Sequence, residues 1–146
     1  MPNIERTARA EWKGDLRGGE GTTSTGSGVL REAKYSVPSR FQNAQGTNPE
    51  ELIAAAHASC FSMMLSKILS DQKKPPKKIS TEAKLTMRQD NSGAKITAIH
   101  LKTEASVDGM DQEAFKRAAE QAKEQCPVST LLKPGLENLS LEAKLI

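Results

Sequence analysis

Aromatic side chains are scarce in this 146-residue chain, which has one Trp, one Tyr and three Phe. That poverty argues against a surface on which nucleic-acid bases stack, and a net charge of only +3 argues against a phosphate-binding face. The one basic cluster, Lys73-Lys-Pro-Pro-Lys-Lys78, reads as a solvated linker. Cysteine occurs twice, too rarely for a disulfide framework. A chain of this length can bury about two-thirds of its unfolded surface, so it needs neither a disulfide nor a metal in order to fold. The N-terminal Met-Pro-Asn-Ile-Glu-Arg has no apolar core of the kind that marks a secretory signal. No unbroken apolar run reaches the ~18 residues of a membrane span. The expectation is a cytoplasmic, single-domain protein over residues 1–146, with no membrane or nucleic-acid partner. In that compartment disulfides are transient and serve catalysis or sensing.

The apolar periodicity places strands, a helix, strands, a helix and a last strand in that order. Residues 6–12 and 22–30 read as antiparallel strands with glycine-rich turns, and Tyr35 to Phe41 as a further extended segment broken by Pro38. Ile79, Thr81, Ala83, Leu85 and Met87 alternate with polar residues. After the turn Asn91-Ser-Gly93, Thr97 through Val107 alternate again, which predicts a hairpin. Leu139, Leu141, Ala143 and Leu145 give the final strand. The order is that of an α+β fold.

The first helix starts clearly. Asn48 suits the N-cap, Pro49 the first helical position, and Glu51 the third, where a capping box would use it. Glu50 has no such structural duty. From Leu52 to Leu69 the helix is apolar nearly all round, which predicts a central, buried element. The second helix runs from about Asp111 to Gln125, with Phe115, Ala118, Ala119 and Ala122 as its apolar stripe. Pro127 ends it at Cys126, which also precedes a short helix, 128–133, whose free N–H groups favour a thiolate.

Cys60, inside the apolar helix, and Cys126 can be read as inert core thiols. They can also be read as a redox couple, because Arg40 and Glu50 supply the other parts that activate a thiol. A guanidinium lowers its pKa, and a carboxylate orients the guanidinium. Glu50 and Cys60 lie ten residues apart on one helix, about 15 Å along its axis, so they cannot share a site within one chain. Two copies crossing antiparallel near Ala54-Ala-Ala56 would bring Glu50 of one to Cys60 of the other in an isologous homodimer. His57, one turn before Cys60, reads as a packed histidine rather than a base. His100 reads as exposed, and the spacings of the four Cys and His residues match no compact zinc module.

Thr47-Asn-Pro-Glu-Glu-Leu-Ile-Ala-Ala-Ala-His-Ala-Ser-Cys60-Phe-Ser, with Cys126-Pro-Val-Ser129, closely resembles the OsmC branch of the OsmC/Ohr peroxidases. Trp12-Lys-Gly-Asp15, Gly26-Ser-Gly-Val-Leu30 and Ser39-Arg-Phe41 extend the likeness over essentially the whole chain. The resemblance implies an α+β, strand-exchanged homodimer with two long central helices flanked by β-sheets. It implies a cysteine peroxidase that reduces organic hydroperoxides, and hydrogen peroxide less readily. Cys60 would be the peroxidatic cysteine, Cys126 the resolving one, Arg40 the arginine of this branch (Arg17 being the alternative) and Glu50 its carboxylate partner. An external dithiol, lipoyl-type by analogy, would recycle the disulfide, and no haem, flavin or metal is called for. Phe41, Phe61, Met64 and Val128 are candidates for the apolar lining. Two rival functions share the same residues: a thiol redox sensor, and a dimer that holds an apolar ligand without turnover.

Overall fold

The computed structural model describes residues 2–146. The chain forms two compact units, one ending at Leu52 and one from Ile53 to Ile146.

The first unit is a three-stranded antiparallel sheet in the order β1 (Ala8–Lys13), β2 (Glu20–Thr25) and β3 (Ala33–Tyr35). Tyr35 lies over Gly21, where a Cβ would come 2.6 Å from its ring. Its hydroxyl donates to the Glu11 carbonyl at 3.2 Å, and the ring tilts against Trp12 at 5.6 Å between centroids. The expected strand over 22–30 stops at Thr25. Its side-chain hydroxyl accepts from Leu30 N–H at 3.1 Å, and Gly28 takes a φ of +77°, so 26–30 form a closed turn.

The segment 35–41 departs from expectation. After Tyr35 the chain turns into a short helix, α1 (Val37–Phe41), rather than continuing extended. Ser36 caps it, and a reciprocal bond joins Ser36 and Ser39 as a capping box. Pro38 breaks a strand, yet in the first turn its fixed φ and missing N–H suit a helix start.

α2 (Pro49–Asp71) opens in the first unit and runs on through the second. Asn48 caps it as predicted, accepting from Glu51 N–H at 2.8 Å. The Glu51 carboxylate does not close a capping box; it accepts from the Thr47 hydroxyl at 3.2 Å.

The second unit is built on a sheet in the order β4 (Lys78–Asp90), β5 (Gly93–Ser106) and β6 (Asn138–Leu145). β4 and β5 form the predicted hairpin, with a bulge at Thr86/Met87, and β6 joins β5 in parallel. The inward residues Ile99, Leu101 and Ala105 meet Phe61, Leu65, Ile68 and Leu69 of α2. They also meet Phe115, Ala118, Ala119 and Ala122 of α3 (Gln112–Gln125) in one core. Each fully buried Leu or Phe there contributes roughly 1.5–3 kcal/mol relative to exposure. A part-buried chain of hydroxyls runs from Ser62 through Thr81 to Thr103, with spacings of 2.8 and 2.9 Å. Asp111 caps α3, and the Gln112 side chain pairs with the β6 backbone at Ala143 O and Leu145 N–H. α4 (Pro127–Leu132) and a single 3₁₀ turn at Lys133–Gly135 lead into β6.

α2 is less enclosed than its composition predicts. Between Leu52 and Leu69 only Lys67 is charged, and by length and composition alone the helix is long and apolar enough to cross a membrane. Its imidazole and hydroxyls, however, hydrogen-bond to neighbouring elements of the second unit, as in a packing helix. Only 28% of its apolar window is buried within this chain. Ala55, Ala56, Ser59 and Met63 make an exposed stripe at helical spacing, with Met63 72% exposed.

Candidate functional site

The two sulfurs come together in the second unit. Cys60 sits on α2 beside the core and is partly exposed. Cys126 is fully buried, ends α3 and starts α4. Both are free thiols, and Cys126 lies near enough to Cys60 to raise its pKa. The backbone N–H of Val128 lies near enough to the Cys60 sulfur to favour its anion. Pro127 produces this arrangement by stopping α3 and starting α4 with only one residue between, which turns the α4 N–H groups towards α2. The helix-start N–H was expected to serve Cys126, but it serves Cys60.

Burial is the largest influence on Cys60 and pushes its pKa above the ordinary thiol value of 9.0. Val128 N–H opposes the rise, and the Cys126 thiol adds to it. The guanidinium assistance expected from sequence is not among these influences. Within this chain Cys60 is therefore held as a thiol.

The other two predicted site residues pair with each other in the first unit. Arg40 Nε donates to Glu50 Oε1 at 2.9 Å, and Nη2 reaches the same oxygen at 2.8 Å. The Glu50 side chain is 11% exposed and that of Arg40 40%. The guanidinium also lies 5.3 Å from the Phe41 ring centre. The α1–α2 connection sets this pair. Buried Ser39 donates to Thr47 O at 2.8 Å, and Asn48 Nδ2 donates back to Ser39 O at 3.2 Å. Glu50 Oε2 is buried and, among the described residues, has no partner. The pair thus offers an oriented cation and an unused carboxylate oxygen.

His57 and Ser129 were not predicted as partners. His57 is fully buried, and its Nε2 lies 2.7 Å from Ser129 Oγ. The motif Cys126-Pro-Val-Ser129 contained Ser129, but only packing reveals its partner. Burial lowers the His57 pKa below 6.5. The unfolded chain therefore takes up a proton near 6.5 that the folded chain refuses until a lower pH. Stability is complete above that value and falls as pH drops through the lowered one. The expected result is a lower urea midpoint at pH about 5.5 than at about 7.5, with a smaller drop in His57→Gln. An equal drop in the variant would assign the acid sensitivity to other groups. His100 lies on the opposite sheet face, half exposed, 2.7 Å from Ser140 Oγ.

Fold and site together define an α+β protein with a paired-thiol centre. Residues 42–137 match the family model described as OsmC-like protein, and the chain belongs to the OsmC-like family. It is 45% identical over 130 residues to a protein of Escherichia coli K12 named peroxiredoxin OsmC, covering 89% of this chain and 91% of that one. It is 28% identical over 123 residues to the organic hydroperoxide resistance protein of Xanthomonas axonopodis pv. citri, covering 82% and 84%. The crystal structure of the organic hydroperoxide resistance protein OhrB of Bacillus subtilis superposes with a TM-score of 0.70 at 26% identity, covering 94% of this chain and 97% of that one.

Proposed function

We propose that this protein is a thiol peroxidase that reduces organic hydroperoxides, and hydrogen peroxide less readily. The observation that carries this reading is two neighbouring free thiols, one partly exposed with a backbone N–H close by, the other buried beside it. The relatives' names, peroxiredoxin and organic hydroperoxide resistance protein, support it.

Three steps account for turnover. The Cys60 thiolate attacks the terminal peroxide oxygen, the O–O bond breaks, and the alkoxide leaves as alcohol after taking a proton. The Cys60 sulfenic acid then accepts the Cys126 sulfur, and its hydroxyl leaves with the Cys126 proton as water. A dithiol of lipoyl type reduces the resulting disulfide by two exchanges and is itself oxidised to a disulfide. Arg40, oriented by Glu50, lowers the Cys60 pKa and stabilises the charge on the leaving oxygen.

That last role calls for a second copy, because burial alone holds Cys60 protonated. The exposed stripe Ala55, Ala56, Ser59 and Met63 is narrow and small enough for a second α2 to cross closely. Such a crossing would carry Glu50 and Arg40 of one copy to Cys60 of the other. Sedimentation should give about twice the 15.8 kDa chain mass. Met63→Glu should lower both the mass and the peroxidase rate. A wild-type mass of one chain, with full activity, would remove the second copy from the mechanism.

The experiment that tests the function is a steady-state assay with an alkyl hydroperoxide and a dithiol. Sustained turnover supports the peroxidase. A single oxidation event without turnover points to a sensor, and insensitivity of ligand retention to Cys60 alkylation points to an apolar-ligand carrier.

A further inference from the structure

We propose that His57 and Ser129 form a latch that holds α4 on α2 and thereby sets the rate at which Cys126 closes on Cys60. The inference rests on the two-thiol reading above and adds two positioning residues to it.

The geometry is specific. His57 lies one turn before Cys60 on α2, and Ser129 lies one residue after Val128, whose N–H favours the Cys60 anion. The Nε2–Oγ bond of 2.7 Å joins residues 72 apart in sequence, and their exposures are 0% and 1%. α4 has only six residues and no side-chain cap, so it cannot hold its own position. Its Val128 and Leu132 pack against the core without directional bonds, and its other polar ties are weaker or local. Thr130 Oγ1 bonds back to Cys126 O at 3.1 Å, and the exposed Lys133–Glu124 pair spans 3.4 Å. The His57–Ser129 bond is the buried side-chain tie between α4 and α2.

A second observation concerns the other ring nitrogen. His57 Nδ1 is buried and, among the described residues, has no partner. An unpaired buried nitrogen costs free energy that a leucine at this core position would not. Positioning is a reason for an imidazole there. With the latch made, the α4 start stays docked, Val128 N–H stays on Cys60, and the Cys126 sulfur stays within reach. Without it, the closing pair must first be re-formed from a looser ensemble.

The test uses thiol–disulfide exchange in the full-length protein, with 4,4′-dithiodipyridine as oxidant and no hydroperoxide. Partly exposed Cys60 attacks the reagent and releases one thiopyridone, leaving a mixed disulfide. Cys126 then attacks the Cys60 sulfur and releases the second. The first phase depends on reagent concentration; the second does not. His57→Leu and Ser129→Ala should each slow the second phase about tenfold, the size expected of one buried hydrogen bond, and change the first phase far less, by no more than the loss of the Val128 N–H at Cys60 costs. The double variant should be no slower than either single one. His57→Gln, which keeps an amide at the Nε2 position, should restore most of the rate. Wild-type closure in both single variants, additive slowing in the double, or no rescue by Gln would overturn the latch. Ser129→Ala removes a single oxygen and keeps the result readable if His57→Leu fails to fold. Because no hydroperoxide enters, a failed peroxidase assay leaves this measurement intact.

Discussion

Cys60→Ser is expected to reduce alkyl hydroperoxide turnover by at least about 10³-fold, to the background of the dithiol alone. A hydroxyl at this place has neither the polarisability nor the acidity of a thiol. The Val128 N–H that partly offsets burial of a sulfur anion cannot make an alkoxide at neutral pH. The substitution removes one core-edge sulfur and leaves Phe61 and Leu65 in place, so the fold should survive. The measurement is a steady-state assay beside a thermal melt. Turnover within tenfold of wild type in a folded Cys60→Ser protein would take the nucleophile's role away from this residue.

Cys126→Ser is expected to behave differently. The first attack uses Cys60 alone and should keep its rate within a few-fold. The sulfenic acid then has no neighbouring thiol to condense with, so a burst of about one alcohol per chain should be followed by arrest. Mass spectrometry after trapping with a sulfenic-acid-specific carbon nucleophile should find the label on Cys60 in this variant. Wild type should instead give the Cys60–Cys126 disulfide. Excess peroxide should carry the variant on to sulfinic acid, which a dithiol does not reverse. Steady turnover with the same dithiol, and no trapped intermediate, would show that Cys126 is not the resolving thiol. Cys126 is fully buried beside α3, so Ser is preferred to a larger replacement.

Much of this organisation was legible in the residues. The period-two runs at 79–87, 97–107 and 139–145 became β4, β5 and β6, because one face of each packs against the apolar stripes of α2 and α3. Asn48-Pro49 and Asp111 marked their helix starts, since a cap is a local property of a few residues. The α1 turn was missed because Pro38 breaks a strand and begins a helix equally well. The choice between the two was made by the Ser36–Ser39 box and by Ser39 bonding to Thr47, a contact across eight residues.

The site was legible as residue types and not as geometry. Arg40 and Glu50 were singled out for their chemistry, and they do pair, through one carboxylate oxygen. The Val128 N–H could not be found by inspection, since every residue except proline carries a backbone donor and none advertises its direction. The His57–Ser129 bond was invisible for a related reason, because its members lie 72 residues apart and neither resembles a ligand set. The sign of the Cys60 shift also depended on the fold. Sequence suggested a cation and hence a lowered pKa; within one chain, burial on α2 raises it.

The order of residues was by itself enough to determine the α+β element order, the cap of the first long helix and the family to which the chain belongs. Periodicity, capping and a long motif are all written in contiguous stretches. Only the tertiary structure decided that the two thiols are neighbours, which N–H lies near Cys60, and that Ala55, Ala56, Ser59 and Met63 stay uncovered within one chain. Those outcomes depend on how α2, α3 and α4 pack, and packing joins residues that local rules cannot relate.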